Sequence, residues 1–205
     1  MSCTKGLIRF PKNNIMEIHN SEFRLYLKSP EQQDADAIAE LANNYNVSKE
    51  LHNTFPHPYT RADAISFIDF AAASLADGTG LHLAIRIKGE GEVIGMVGLR
   101  IFSRNRSAEI GYWLGEKYWS RGYGKEAIRL MLAYGFEKLK LNRIYAGVFS
   151  HNERSMHILE KLGFCREGVL REEELKDGKF VNTVYLSILK REYKEKLRIE
   201  VKEIR

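Results

Sequence analysis

The feature that most constrains the fold is a strand, a short loop with two glycines and a helix start, which follow one another in residues 109–125. Apolar residues then recur at helical spacing, at Ala127, Ile128, Leu130, Met131 and Tyr134. Backbone N–H groups in such a loop, together with the dipole of the helix N-terminus, attract an anion. Gly122 and Gly124 let the backbone approach that anion without an intervening Cβ. The pattern therefore predicts a site for a phosphate or pyrophosphate.

The spacing of Gly122 and Gly124 is too short for the dinucleotide-binding fingerprint, and the loop lacks the Lys-Ser/Thr pair of a nucleotide phosphate loop. Neither NAD nor ATP is therefore favoured as the ligand. Two glycines before a helix are also found in ordinary helix-entry turns, so this loop alone leaves a purely structural interpretation open.

Strands and helices are predicted to alternate along most of the chain. Seven strands are predicted, at residues 23–28, 81–88, 92–102, 108–114, 143–149, 164–174 and 179–189. Four helices are predicted, at residues 35–42, 61–76, 125–139 and 153–162. Residues 190–205 alternate charge, which predicts a solvated helix, and residues 1–21 show no clean period and predict an N-terminal extension. The pattern indicates one domain of mixed α and β structure.

Composition narrows the class of protein. With 205 residues and 44% hydrophobic content, the chain is long enough for one domain with a real core. The absence of a long apolar run and of a signal peptide predicts a cytoplasmic protein without a membrane partner. Cys3 and Cys165 have no metal-ligand spacing, so neither a disulfide framework nor a metal site is expected. Lys and Arg are scattered without a stacking motif, so direct binding of nucleic acid is not expected.

Residues 119–124 resemble motif A of the GNAT superfamily, a loop of pattern Gln/Arg-x-x-Gly-x-Gly/Ala that binds the pyrophosphate of coenzyme A. The match holds at Gly122 and Gly124, and Trp119 replaces the first residue of the motif. Residues 111–127 are similar to the Rim-type branch, which includes ribosomal-protein N-terminal acetyltransferases and spermidine acetyltransferases. A second match follows at residues 152–155 and 161–164, in the order expected for the family.

This resemblance implies a GNAT fold of class α+β (α/β), with a mixed, mostly antiparallel, splayed sheet of about seven strands and four flanking helices. It covers residues 22–192 and leaves an N-terminal extension, 1–21, and a charged tail, 193–205. It also implies acetyl-CoA as cosubstrate. The residues that would bind it are Tyr112, Trp113, Leu114, Trp119, Ser120, Arg121, Gly122, Tyr123, Gly124, Lys125, Asn152 and Ser155. Trp113 and Trp119 could instead pack in the core without contacting the cofactor.

The resemblance implies direct attack of an amine on the thioester in a ternary complex. Glu174 matches the position of the catalytic Glu in Rim-type enzymes, and Glu109 matches a water-bridging Glu of many GNAT enzymes. Ser155 would hydrogen-bond the leaving thiolate, and Tyr185 is a further candidate proton donor. These residues also have purely structural interpretations. Ser155 and Asn152 could cap the helix that follows, Glu109 and Glu174 could be solvated strand residues, and Tyr185 could pack in the core.

The residues themselves do not identify the acceptor, because proteins that share a fold can act on different acceptors. The Rim-type resemblance favours the α-amine at a protein N-terminus. A small amine such as a polyamine or an aminoglycoside is the alternative, and Glu172, Glu173 and Glu174 could form an acidic patch for it. A CoA-binding module without turnover and a homodimer also remain open. His52 and His57 line the acceptor entrance or are incidental loop residues.

Overall fold

The computed structural model describes residues 15–204 and contains nine strands and five α-helices. The strands are β1 (Ile15–His19), β2 (Leu25–Lys28), β3 (Gly80–Ile87), β4 (Val93–Phe102), β5 (Ser107–Leu114), β6 (Arg143–Phe149), β7 (Cys165–Lys176), β8 (Lys179–Leu189) and β9 (Glu200–Ile204). The helices are α1 (Ala35–Ala42), α2 (Tyr45–Ser48), α3 (Arg61–Asp77), α4 (Tyr123–Ala133) and α5 (Glu153–Lys161). A π-helical turn, Tyr134–Lys138, continues α4.

All nine strands form one mixed sheet in the order β7-β8-β6-β5-β4-β3-β2-β1-β9. Only β5 and β6 run parallel; every other neighbouring pair is antiparallel. The mixed sheet and the α+β class confirm the predicted fold. The described residues hold nine strands rather than about seven and five α-helices rather than four, α2 being the short helix that the pattern did not show.

The predicted helix in the charged tail is wrong, and part of the predicted extension is a strand. β1 pairs with β2 on one side and with β9 on the other, with Met16 opposite Glu203 and Ile18 opposite Val201. Met16 and Ile18 are fully buried. Each strand is five residues long, so its alternation is too short to distinguish from chance without the distant partner. The domain limits at residues 22 and 192 remain a prediction, and residues 1–14, with Cys3, lie outside the described part of the chain.

Helices cover both faces of the sheet. On one face α4 and α5 contribute Ile128, Met131 and Leu159 to a core shared with Ile110 and Ile144. On the other face α1 and α3 contribute Ile38 and Ile68 to a second core over β3 and β4. Side chains alternate along a strand, so Tyr112 faces the α4–α5 layer, whereas Glu109 and Gly111 face the opposite side.

Candidate active site

The parallel strands β5 and β6 separate in the middle of the sheet. They pair only from Ser107 and Arg143 to Glu109 and Tyr145. Beyond this point β5 stays paired with β4 up to Leu114, and β6 stays paired with β8 up to Phe149. Backbone groups on the facing edges of the two strands therefore border an open gap. The splay implied by the GNAT resemblance is confirmed.

The two-glycine loop ends beside this gap, because it follows β5. The backbone N–H groups of residues 120–125 donate no hydrogen bond to any residue from 15 to 204; the next one, of Glu126, donates to Gly122 O at 3.1 Å. Ser120 and Gly122 both adopt left-handed conformations, with φ of 61° and 85°. Successive N–H groups in such a turn form a concavity for an anion, and the N-terminus of α4 adds its dipole. The loop fits a pyrophosphate.

Arg24, the residue just before β2, holds this loop in place. Its guanidinium donates to Arg121 O at 2.7 Å and forms an ion pair with Glu126 at 2.7 Å. A Cβ added to Gly122 would lie 3.1 Å from Nη2 of Arg24, and the residue has positive φ. The positive φ at position 122 therefore favours glycine, and a Cβ there would crowd the Arg24 guanidinium.

Trp119 is anchored under the loop. Its Nε1 donates to Leu114 O at 2.8 Å, and the Arg154 guanidinium lies 4.3 Å from the centre of its ring. These contacts support the packing interpretation of Trp119, whose ring fixes the geometry of the loop. The Trp113 ring faces the other side of the sheet, where it packs against Phe55 at 5.9 Å.

Tyr112 and Ser155 meet on the α4–α5 face of the gap. The Tyr112 hydroxyl lies 3.0 Å from Ser155 Oγ. The cap of α5 is Asn152, whose Oδ1 accepts a hydrogen bond from the Ser155 N–H at 3.0 Å. Asn152 therefore acts as the helix cap, while the Ser155 hydroxyl is directed to β5. Burial raises the pKa of Tyr112 to about 12, so its hydroxyl keeps its proton at neutral pH.

The opposite face of the sheet has a floor of three glycines. Gly98 on β4 lies opposite Gly111 on β5, and Gly147 on β6 lies opposite Tyr185 on β8. A Cβ added to Gly111 would meet no atom within 4 Å. The His82 ring covers Gly98 and closes one end of the floor. The floor and its surroundings, which we call the glycine cleft, lie directly across the sheet from Tyr112.

Glu109 and Tyr185 line this cleft. Glu109 forms an ion pair with Arg100, its partner across the β4–β5 ladder. Tyr185 donates a hydrogen bond to Glu173 at 3.1 Å. Burial, and then the Glu173 carboxylate, raise the pKa of Tyr185 to about 12. Both predicted residues therefore lie in the glycine cleft, and each is already engaged with a neighbour.

A bulge in β7 aims two consecutive carboxylates at the cleft. Leu170 pairs with Thr183 and Glu174 pairs with Val181, so residues 171–173 face one residue of β8. Glu172 takes a left-handed conformation within the bulge, with φ of 54°. Glu173 then contacts Tyr185, and Glu174 contacts His52, on the same side of the sheet. A regular strand would have sent adjacent side chains to opposite faces.

Glu174 meets the loop between α2 and α3. Its Oε1 is hydrogen-bonded to His52 Nδ1, and its Oε2 accepts from the Asn53 N–H at 3.3 Å. The His52 ring packs edge-on against Phe149, the last residue of β6, at 5.4 Å. The sequence named His52 only as a residue of the acceptor entrance and Glu173 only as part of an acidic patch, and it indicated neither of these contacts. His57 lies apart from this group, against Tyr45.

Residues 15–204 contain no group of three or more His, Cys, Asp or Glu side chains arranged to hold a metal ion. None of their helices has the length and apolar character needed to span a membrane. Cys165 is a free, exposed thiol at the start of β7.

The sheet is mixed and splayed, and an amide-lined loop and a helix N-terminus lie at its gap. Together these features define an acetyltransferase. A sequence profile described as "Acetyltransferase (GNAT) domain" matches residues 24–165, more than half of the chain. The chain belongs to the GNAT acetyltransferase family and is an N-acetyltransferase.

Similar proteins support this assignment. "Uncharacterized N-acetyltransferase p20" of Bacillus licheniformis is 36% identical and aligns over 83% of this chain and 95% of its own length. "Putative ribosomal N-acetyltransferase YdaF" of Bacillus subtilis is 33% identical, over 80% of this chain and 90% of its own. A crystal structure of spermidine N-acetyltransferase from Vibrio cholerae, in complex with CoA and spermine, has 26% identity and a TM-score of 0.73. It covers 84% of this chain and 99% of that one.

Proposed function

We propose that this enzyme transfers the acetyl group of acetyl-CoA to the α-amine at the N-terminus of a protein. The observation that carries the proposal is the gap between β5 and β6, which opens beside unpaired N–H groups at residues 120–125. Because the loop directly follows β5, a pyrophosphate bound there would direct the pantetheine arm into the gap. Acetyl-CoA, when bound, supplies the activated acetyl group.

The chain supplies the rest of the site. Arg121 and Lys125 are exposed cations beside the loop and would neutralise the phosphates. Backbone N–H groups from Tyr112 to Leu114 on the edge of β5 would polarise the thioester carbonyl. The hydroxyls of Ser155 and Tyr112 would donate a hydrogen bond, and then a proton, to the departing sulfur.

An amine must lose a proton before it can attack, and three carboxylates face the cleft: Glu109, Glu173 and Glu174. Glu173 already accepts a hydrogen bond from the Tyr185 hydroxyl. Glu109 is neutralised by its ion pair with Arg100. Glu174 instead forms a hydrogen-bonded pair with His52 at the open end of the gap. These contacts favour the Glu174–His52 pair as the proton-accepting group.

The acceptor is proposed from two considerations. The similarity to the relative named as a ribosomal N-acetyltransferase, at 33% identity, favours a protein N-terminus. The open floor at Gly111 would let the first residues of an extended peptide lie flat on the sheet. A polyamine is the second candidate, because Glu173 and Glu174 both face the cleft and Tyr145 and Tyr185 offer aromatic faces to a cation.

A thiol-release assay across acceptors tests the proposal. The panel contains peptides with a free N-terminus, the same peptides already N-acetylated, and spermidine. We expect CoA thiol to appear with the free peptides and not with the blocked ones. If spermidine reacts and the peptides do not, the acceptor is a polyamine and not a protein N-terminus. If acetyl-CoA binds and no amine releases thiol, the chain is a binding module and the proposed function is wrong.

A further inference from the structure

We propose that the atom that takes the proton from the acceptor amine is Nε2 of His52, and that Glu174 is a positioning residue that holds the His52 ring. This inference rests on the proposed function and names the base within the Glu174–His52 pair. It assigns a role to a histidine that the GNAT resemblance left without one.

The hydrogen bond fixes the tautomer of the ring. An ionised carboxylate can only accept hydrogen bonds, so the hydrogen between Glu174 and His52 is on Nδ1. The neutral ring then carries its lone pair on Nε2. Among residues 15–204, no hydrogen-bond partner occupies that nitrogen. Nε2 is therefore available to accept a proton from a ligand.

The carboxylate itself is less available than the ring. One oxygen of Glu174 contacts His52 and the other accepts the Asn53 N–H at 3.3 Å. The Glu174 side chain is 23% exposed, whereas the His52 side chain is 42% exposed. Asn53 Nδ2 also donates to Leu175 O, which ties the loop to β7 on the far side of Glu174. The Glu174 carboxylate therefore holds the loop, and the His52 imidazole is the more exposed group of the pair.

His52 also lies at the right end of the gap. Its ring packs against Phe149, where β6 ends and the chain turns toward Asn152 and Ser155. The charged groups around this position are Glu174 from β7 and, across the Phe149 ring, the pair of His151 with Glu50 at 3.3 Å. His151 uses its Nε2 in that pair, so the two histidines differ in which nitrogen is free.

The proton transfer balances without any added reactant. The N–H bond of the acceptor ammonium breaks and its electron pair remains on nitrogen as the attacking lone pair. The proton adds to the lone pair of His52 Nε2, and the positive charge moves from the acceptor to the ring. Glu174 stabilises the resulting imidazolium as a charge-assisted hydrogen-bond acceptor. The proton then leaves to water and the ring is neutral again.

The test is a double-mutant cycle on the full chain, measured as thiol release with an acceptor that the wild type acetylates. We expect His52→Ala to lower kcat about 100-fold and added imidazole to restore part of the loss. Glu174→Gln should lower kcat about tenfold in the wild type, with no rescue by imidazole. In the His52→Ala background the Glu174→Gln change should have no further effect, because Glu174 acts through the ring.

The controls separate chemistry from folding. Acetyl-CoA affinity, measured by calorimetry, should be unchanged in every variant, and His52→Gln replaces His52→Ala if the latter loses that affinity. His157→Ala, at an exposed histidine of α5, should behave as wild type. A His52→Ala enzyme with wild-type kcat would overturn the inference. So would an equal cost of Glu174→Gln in both backgrounds, which would make Glu174 the base while leaving the proposed function intact. A wild type that acetylates no amine contradicts the proposed function itself and the inference with it.

Discussion

The Tyr112 hydroxyl lies 3.0 Å from Ser155 Oγ, between the splayed strand β5 and the first turn of α5. We expect Tyr112→Phe to lower kcat by at least about tenfold and to leave acetyl-CoA affinity unchanged, because the lost group acts on the leaving sulfur. Tyr193→Phe is the control, since the Tyr193 hydroxyl is buried with no partner in residues 15–204. Its kcat should match the wild type.

The same pair has a pH signature. Since the pKa of Tyr112 is raised to about 12, its hydroxyl should remain protonated through the accessible alkaline range. The wild-type kcat should therefore show no loss from Tyr112 ionisation below about pH 10. An alkaline inflection that disappears in Tyr112→Phe would contradict the assigned environment of this residue.

Glu109 and Glu174 should respond differently to neutralisation. Glu109→Gln should change kcat by less than about threefold, because the ion pair with Arg100 already engages Glu109. Glu174→Gln should lower kcat about tenfold. Steady-state rates at saturating acetyl-CoA measure both. The reverse order would assign the proton-accepting role to Glu109.

A side chain at position 111 should fill the floor of the glycine cleft. The space above Gly111 is open, so Gly111→Val is expected to fold and to raise the acceptor KM at least about tenfold, with acetyl-CoA affinity unchanged. Gly168→Val on β7 is the matched control, because its Cβ also meets no atom within 4 Å. An unchanged acceptor KM in Gly111→Val would place the acceptor elsewhere.

His82 should make stability depend on pH. Burial lowers its pKa from 6.5 to about 4, so between these values the unfolded state binds a proton that the folded state does not. Stability should therefore rise with pH across this window, by about 1–3 kcal/mol for this one group. Denaturant unfolding from pH 7 to pH 4 measures the slope, which should flatten in His82→Phe. An exposed-site control, His157→Phe, should keep the wild-type slope.

Much of the fold could be predicted from local pattern. The predicted helix at 61–76 corresponds to α3, which Thr60 and Asp63 cap, and the two-glycine segment does open α4, with Gly122 as its N-cap. Apolar alternation located seven of the strands within a few residues, because each buries one face in a sheet whose helices cover both sides. These features depend on residues close in sequence.

The features that escaped prediction depend on residues far apart in sequence. β1 is stabilised by β9 at the other end of the chain, and neither strand is long enough for its own alternation to predict it. The contact of His52 with Glu174 spans 122 positions. Glu173 faces the cleft only because of the bulge at Glu172, whose left-handed conformation no local pattern indicates. The contacts within the glycine cleft could therefore be identified only from the structure.

We expect the N–H groups of residues 120–125 to bind the pyrophosphate of acetyl-CoA. Calorimetric titration with CoA, dephospho-CoA and pantetheine tests it most directly, because the first two carry the pyrophosphate and the third does not. We expect CoA and dephospho-CoA to bind at one site with similar affinity, and pantetheine to bind at least about 100-fold more weakly, because charge-assisted hydrogen bonds to the phosphates are lost. Equal affinity for pantetheine and CoA, or no heat with CoA, would contradict the claim.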